Sequence, residues 1–107
     1  MAETRIVMTT VDEERRAEQF AAALIERRLA ACVNVGPIRS VYRWKGRIER
    51  EVEYLLIIKT TAEQASRLEA FFKELHPYEL PERIEVSLEG GSEEYLAWVS
   101  AEVQGLE

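Results

Sequence analysis

One thiol and one imidazole stand among 20 acidic side chains, and these are the groups of the sequence with metal-binding or nucleophilic chemistry. Cys32 is the only cysteine and His76 the only histidine. A thiolate–imidazole pair works as a nucleophile only when the two groups touch, and their spacing does not place them together. Cys32 follows Leu29-Ala30-Ala31, a setting that suits a small buried hydrophobe as well as a ligand. His76 closes a predicted helix, where it either faces the negative end of the helix dipole or ligates a metal. Glu82 comes six positions later, directly after Pro81. Pro77 and Pro81 stiffen the intervening loop, so the imidazole and this carboxylate are held near one another. An imidazole, a carboxylate and a thiolate together suit copper or zinc.

Other chemistries find less support. There is no second histidine, no nucleophile elbow and no resolving cysteine, so no catalytic site is expected. Gly90-Gly91-Ser92 precedes a helix and reads either as an anion cradle or as a turn with an N-cap. Tyr42 and Trp44 stand near a hairpin tip, where partner contact explains them better than base stacking.

The elements that must position these groups follow from periodicity. Ile6-Val7-Met8-Thr9 reads as a strand. Thr10 and Glu13 have capping-box spacing, with Asp12 as an alternative cap. The helix after them carries Ala17, Phe20, Ala21, Leu24 and Arg28 at helical spacing. Ala31 to Val35 is a second strand, interrupted by Gly36-Pro37 and resuming from Ile38 to Trp44. Lys45-Gly46 is a two-residue turn, and Arg47 to Thr60 is the return strand. Thr61 and Gln64 open a second helix with Ala65, Leu68, Phe72 and Leu75 buried, ended by His76-Pro77. Ile84, Val86 and Leu88 alternate with polar residues, as in a half-buried strand. Ser92 caps a last helix carrying Tyr95, Trp98 and Val99.

The order β-α-β-β-α-β plus a C-terminal helix is that of an α+β, ferredoxin-like split β-α-β domain spanning residues 1–107. Right-handed crossovers place the helices that begin near Asp12 and Ala62 on one face of an antiparallel sheet. The hairpin from Ile38 to Ile58 is longer than the mean strand, and its protruding part needs partners for its edge groups. It is expected to join copies of the chain.

Composition narrows the function. The net charge of −6 argues against a general nucleic-acid binder or an anionic-membrane binder. The longest apolar run, Tyr54 to Ile58, is far too short to span a bilayer. The N-terminus shows no signal segment and a single cysteine forms no intrachain disulfide, so a cytoplasmic protein is expected. Charged residues reach 32%, Asn34 is the only asparagine and Arg outnumbers Lys, a combination that points to heat resistance.

Several motifs together resemble the CutA divalent-cation tolerance family. They are Arg28-Leu-Ala-Ala-Cys-Val-Asn34, Ser40-Val-Tyr-Arg-Trp-Lys-Gly46, Lys59-Thr60-Thr61, His76-Pro-Tyr-Glu79, Pro81-Glu82 and Tyr95-Leu-Ala-Trp98. The resemblance runs from Ile6 to Trp98. It implies a ferredoxin-like fold, a tight homotrimer and a link to copper and other divalent cations, with Cys32, His76 and Glu82 at the positions of metal ligands. Arg83 departs from the family's pattern, adding a charge beside Glu82. The implied function is a non-enzymatic, metal-responsive homotrimer. The alternative is a trimeric signalling or scaffold module that binds a small molecule or partner protein in its subunit clefts.

Overall fold

β-Branched residues dominate Thr4–Val11, and this segment forms the first strand, β1, of a computed structural model that describes residues 3–104. Helix α1 (Glu14–Glu26) follows, then strands β2 (Cys32–Trp44) and β3 (Arg47–Thr61). A short helix α2 (Ala62–Ala65) leads into α3 (Leu68–Leu75), strand β4 (Ile84–Ser87) and helix α4 (Glu93–Gln104). The four strands lie in the order β2-β3-β1-β4, every pair antiparallel. This is the expected α+β split arrangement.

Register assigns each strand residue to a face. Val7 pairs with Ile58, Thr9 with Leu56 and Val11 with Tyr54, and all point to one side. Ala17, Phe20 and Leu24 of α1, Ala65 of α2, and Leu68, Phe71 and Phe72 of α3 close over that side as one buried core. The first two helical segments therefore share a face, as the crossover rule requires. Helix α4 lies against β3 and β1 on the other face, where Lys59 Nζ sits 5.8 Å above the Tyr95 ring.

Local expectations met several corrections. Thr10 stays in β1, and the N-cap of α1 is Glu13, with no side-chain cap bond; Asp12 instead pairs with Arg16 at 3.5 Å. Thr61 does cap the next helix, its Oγ1 accepting from the Gln64 N–H at 3.4 Å. That helix breaks at Ser66, whose hydroxyl donates to the Glu63 carbonyl at 2.6 Å, a local bond that competes with the helical ladder. Beyond the break, α3 buries Leu68, Phe71 and Phe72 and leaves Leu75 exposed, where the spacing predicts Leu75 buried. Gly36-Pro37 does not interrupt β2, because β2 is an edge strand and tolerates a residue without an N–H. β4 stops before Leu88, and all four of its residues are exposed where the alternation predicts a half-buried strand; it lies at the edge of the sheet.

The hairpin is continuous from Cys32 to Thr61, with Trp44 paired to Arg47 across Lys45-Gly46. Both turn residues have positive φ, 50° and 83°, the combination that matches the twist of paired strands. The far half of this ribbon extends past the core, leaving Val41, Ile48 and Val52 exposed.

Candidate functional site

His76 terminates α3, its backbone N–H bonded to the Phe72 carbonyl at 2.9 Å. Proline at 77 forces it out of the helical region, to ψ 133°. The ring then turns inward against Phe20, Phe72 and Tyr78, with centroids 5.1–5.4 Å away. Both nitrogens are engaged. Nδ1 accepts the Tyr78 backbone N–H at 3.1 Å, so the proton is on Nε2, which faces the Thr10 carbonyl at 3.1 Å and Thr9 Oγ1 at 3.0 Å. Burial holds the imidazole below its ordinary pKa, opposed by the Thr10 hydrogen bond and by Asp12. His76 is thus a neutral ring that fastens the start of the 76–83 loop to β1, rather than a cation on the helix dipole.

The loop folds over the mouth of a cleft of about 860 Å³ between itself and the ribbon. Its polar lining is acidic: Asp12, Glu51, Glu53, Glu79 and Glu82, with Tyr42, Trp44 and Tyr78 among them. Glu53 is buried, and its Oε2 accepts the Tyr78 hydroxyl at 2.6 Å. Burial, then this bond, pushes the Tyr78 phenol up, so it remains a donor. Tyr42 donates likewise to Glu51, and its pKa is pushed up to about 12, first by that hydrogen bond. Glu82 is raised by burial and then by the negative charge of Glu53. Five carboxylates lining one cleft concentrate negative charge there.

The profile of the family described as "CutA1 divalent ion tolerance protein" matches residues 5–102. The chain belongs to the CutA1 divalent ion tolerance family. It is 43% identical over 95 residues to the divalent-cation tolerance protein CutA of Thermus thermophilus, covering 88% of this chain and 92% of that one. It is 45% identical over 91 residues to human protein CutA, covering 84% of this chain but 51% of the human one. Among solved structures, CutA from Synechococcus elongatus PCC7942 superposes with a TM-score of 0.92 at 41% identity, covering 96% of this chain and 92% of that chain. The periplasmic divalent cation tolerance protein CutA from Archaeoglobus fulgidus gives 0.90 at 34% identity, covering 94% of this chain and 98% of that chain.

Within this CutA1 chain the three residues expected as ligands are not brought together. Glu82 lines the cleft, and His76 lies behind it, bonded through both nitrogens. Cys32 pairs with Lys59, on the sheet face opposite Thr9 and the core. It lies six residues along β2 from Ile38, the partner of Glu53, a separation of about 20 Å at ~3.3 Å per residue. Among the described residues no group of three His, Cys, Asp or Glu side chains is arranged to hold one metal ion. The thiolate–imidazole–carboxylate set therefore does not fit a single ion in this arrangement. The same holds for the carboxylates of the cleft, which line one opening without forming such a group; two of them, Glu51 and Glu53, lie on β3 where single-residue motifs gave no signal. Their alternation with Arg50 and Val52, read against the pairing of Tyr42 and Ser40, is the pattern that marks them. Among the described residues no helix is long and apolar enough to cross a membrane.

Proposed function

We propose that this protein serves divalent-cation tolerance as a non-catalytic, metal-responsive homotrimer, with the acidic cleft as the place where the cation is read. The observation that carries the reading is the acidic lining of the cleft, where Asp12, Glu51, Glu53, Glu79 and Glu82 meet at one opening and a divalent cation offsets their charge. Copper is the cation expected from the family resemblance. Oxygen donors are a harder set than copper prefers, so its capture here takes Glu82 and Glu53 as the first contacts. His76 contributes by holding Tyr78 and the loop, and joins as a ligand only by giving up its bond to Tyr78 or to Thr10. Cys32 stands as a separate soft donor, about 20 Å along β2 from the cleft at ~3.3 Å per residue. Its free thiol accords with a cytoplasmic setting.

Homotrimer formation through the Ile38–Ile58 hairpin is supported by the exposed Val41, Ile48 and Val52 and by the unpaired outer edge of β2. The scaffold alternative, a cleft that takes a small molecule or partner protein, is favoured by the aromatic pair Tyr42 and Trp44 at the cleft wall.

Calorimetric titration of the metal-free protein with copper(II) tests the reading. Glu82→Gln is expected to weaken binding at least tenfold, and Cys32→Ala to leave it unchanged. Unaltered affinity in Glu82→Gln overturns the cleft assignment. Loss on Cys32→Ala and His76→Ala together points back to the wider ligand set of the resemblance.

A further inference from the structure

Glu53 is a carboxylate that the fold buries without a cation. It is 6% exposed; its Oε2 accepts the Tyr78 hydroxyl, and its Oε1 has no hydrogen-bond partner among the described residues. Buried charges are ordinarily paired, because an unpaired one keeps its desolvation cost. Glu53 lines the acidic cleft, so a cation in the cleft reaches it. Among the described residues no lysine or arginine lines that cleft, and Asp12, held by Arg16, is the one lining carboxylate with an ion pair.

The shape of the cleft selects among cations. At about 860 Å³ it falls within the range of small-molecule sites, about 300–1,000 Å³. A bare divalent ion needs several oxygens closing on it at about 2.0–2.6 Å, and among the described residues no three such side chains are so arranged. The rest of the lining is largely aromatic and apolar, with Tyr42, Trp44, Tyr78 and Leu80. An aromatic face attracts an ammonium group through its quadrupole. Trp44 already does so, with Lys45 Nζ 5.7 Å from its ring centroid. Two of the rings are tied to carboxylates, since Tyr42 donates to Glu51 as Tyr78 does to Glu53. Glu51 and Glu53 stand on one face of β3, about 6.6 Å apart at ~3.3 Å per residue. That spacing suits two ammonium groups joined by a short aliphatic chain.

We propose that the cleft takes a linear aliphatic polyamine, with one ammonium group on Glu53 Oε1, a second on Glu51, and the methylenes between them against Tyr42 and Trp44. This rests on the cleft being the cation site proposed above, and it adds an organic class of cation to that site. Lysine side chains of a protein carry the same ammonium group, so the test separates the two sources.

Calorimetric titration of the full, metal-free chain with spermidine is set beside three comparators. These are 1-butylamine, the inert hexaamminecobalt(III) ion of the same triple charge, and N-acetyl-trilysine amide. Spermidine is expected to bind at least tenfold more tightly than each. Equal affinity for hexaamminecobalt(III) means that the cleft reads charge alone, and it overturns the proposal. Equal affinity for 1-butylamine or for the trilysine amide overturns it too, the latter by assigning the cleft to protein lysines. Glu53→Gln keeps the side chain's size and an acceptor for Tyr78, and is expected to weaken spermidine binding about tenfold or more. Trp44→Leu is expected to weaken it about fivefold, and Trp44→Phe to retain most of the affinity. Circular dichroism reports folding, and unchanged affinity in either folded Glu53→Gln or Trp44→Leu overturns the assignment. Should these variants not fold, the parent's ranking of the four ligands decides alone. A parent that binds spermidine but not copper(II) defeats the metal reading and leaves this one standing; a parent that binds copper(II) but not spermidine does the reverse.

Discussion

The Tyr78 hydroxyl donates to Glu53 Oε2 at 2.6 Å, tying the 76–83 loop to β3 across the floor of the cleft. Glu53 is buried, so its carboxylate depends on this donor for the solvation it has lost. Tyr78→Phe is expected to cost about 1.5–3 kcal/mol, the range for hydrogen bonds to charged groups. Chemical denaturation measures it. A change within error would mean that solvent replaces the phenol and that the loop is not anchored there.

Two groups give stability opposite dependences on pH. Burial holds the folded His76 below its ordinary value of 6.5. The unfolded chain then takes up the proton first, so stability falls as pH drops below 6.5 and goes on falling until the folded ring titrates. Glu82 is raised above 4.5, chiefly by burial. Here the folded chain keeps its proton longer, so stability is lost as pH climbs from 4.5 through the raised value. Denaturation curves at stepped pH should show His76→Gln flattening the acid-side decline and Glu82→Gln removing the opposing one. A His76→Gln profile as steep as the parent's contradicts the assignment.

Phe20 connects core and site, with its ring 5.0 Å from Phe71, 5.2 Å from Phe72 and 5.3 Å from His76. Phe20→Ala should cost about 3–5 kcal/mol, since it leaves a cavity among these three side chains. Removing the ring also frees one side of the imidazole. Hydrogen exchange at the Tyr78 amide, whose N–H is held by His76 Nδ1, is expected to accelerate beyond the global change. Exchange that tracks global stability alone would separate the core from the loop.

Heat resistance is expected from the dense mixed charge, the single asparagine and association of the chain. The thermal midpoint should lie above the mesophile range of about 45–65 °C and rise with protein concentration. Calorimetry at two concentrations decides both points.

The fold was readable because its signals are local and repeated. Phe20 and Leu24 recur at helical spacing, and Lys45-Gly46 marks the tip of the long hairpin. The errors fell where one neighbour outweighed a local preference. Edge position rescued Pro37, and the Ser66 hydroxyl broke a helix whose apolar spacing looks continuous. The site was legible only in part. His76 and Glu82 announce themselves by type, but no spacing rule reveals that Tyr78 N–H claims one imidazole nitrogen and the Thr10 carbonyl the other. Nor does any place Cys32 on the sheet face away from the core and far along β2 from Glu53, since that depends on a register that spans from Lys59 back to Ile6.

The strand order β2-β3-β1-β4 has a consequence for synthesis. β1 leaves the ribosome first, yet both strands that flank it come later. At about 5–20 residues per second it waits on the order of seconds for Thr61 to emerge, and longer for Ser87. The β2–β3 hairpin, whose contacts are local, zips in the meantime. Throughout that interval Ile6-Val7-Met8 is a nascent strand with two bare edges. Arg5 on one side and Asp12-Glu13-Glu14 on the other act as its charged gatekeepers, keeping neighbouring polysome chains from pairing with it before its own sheet arrives.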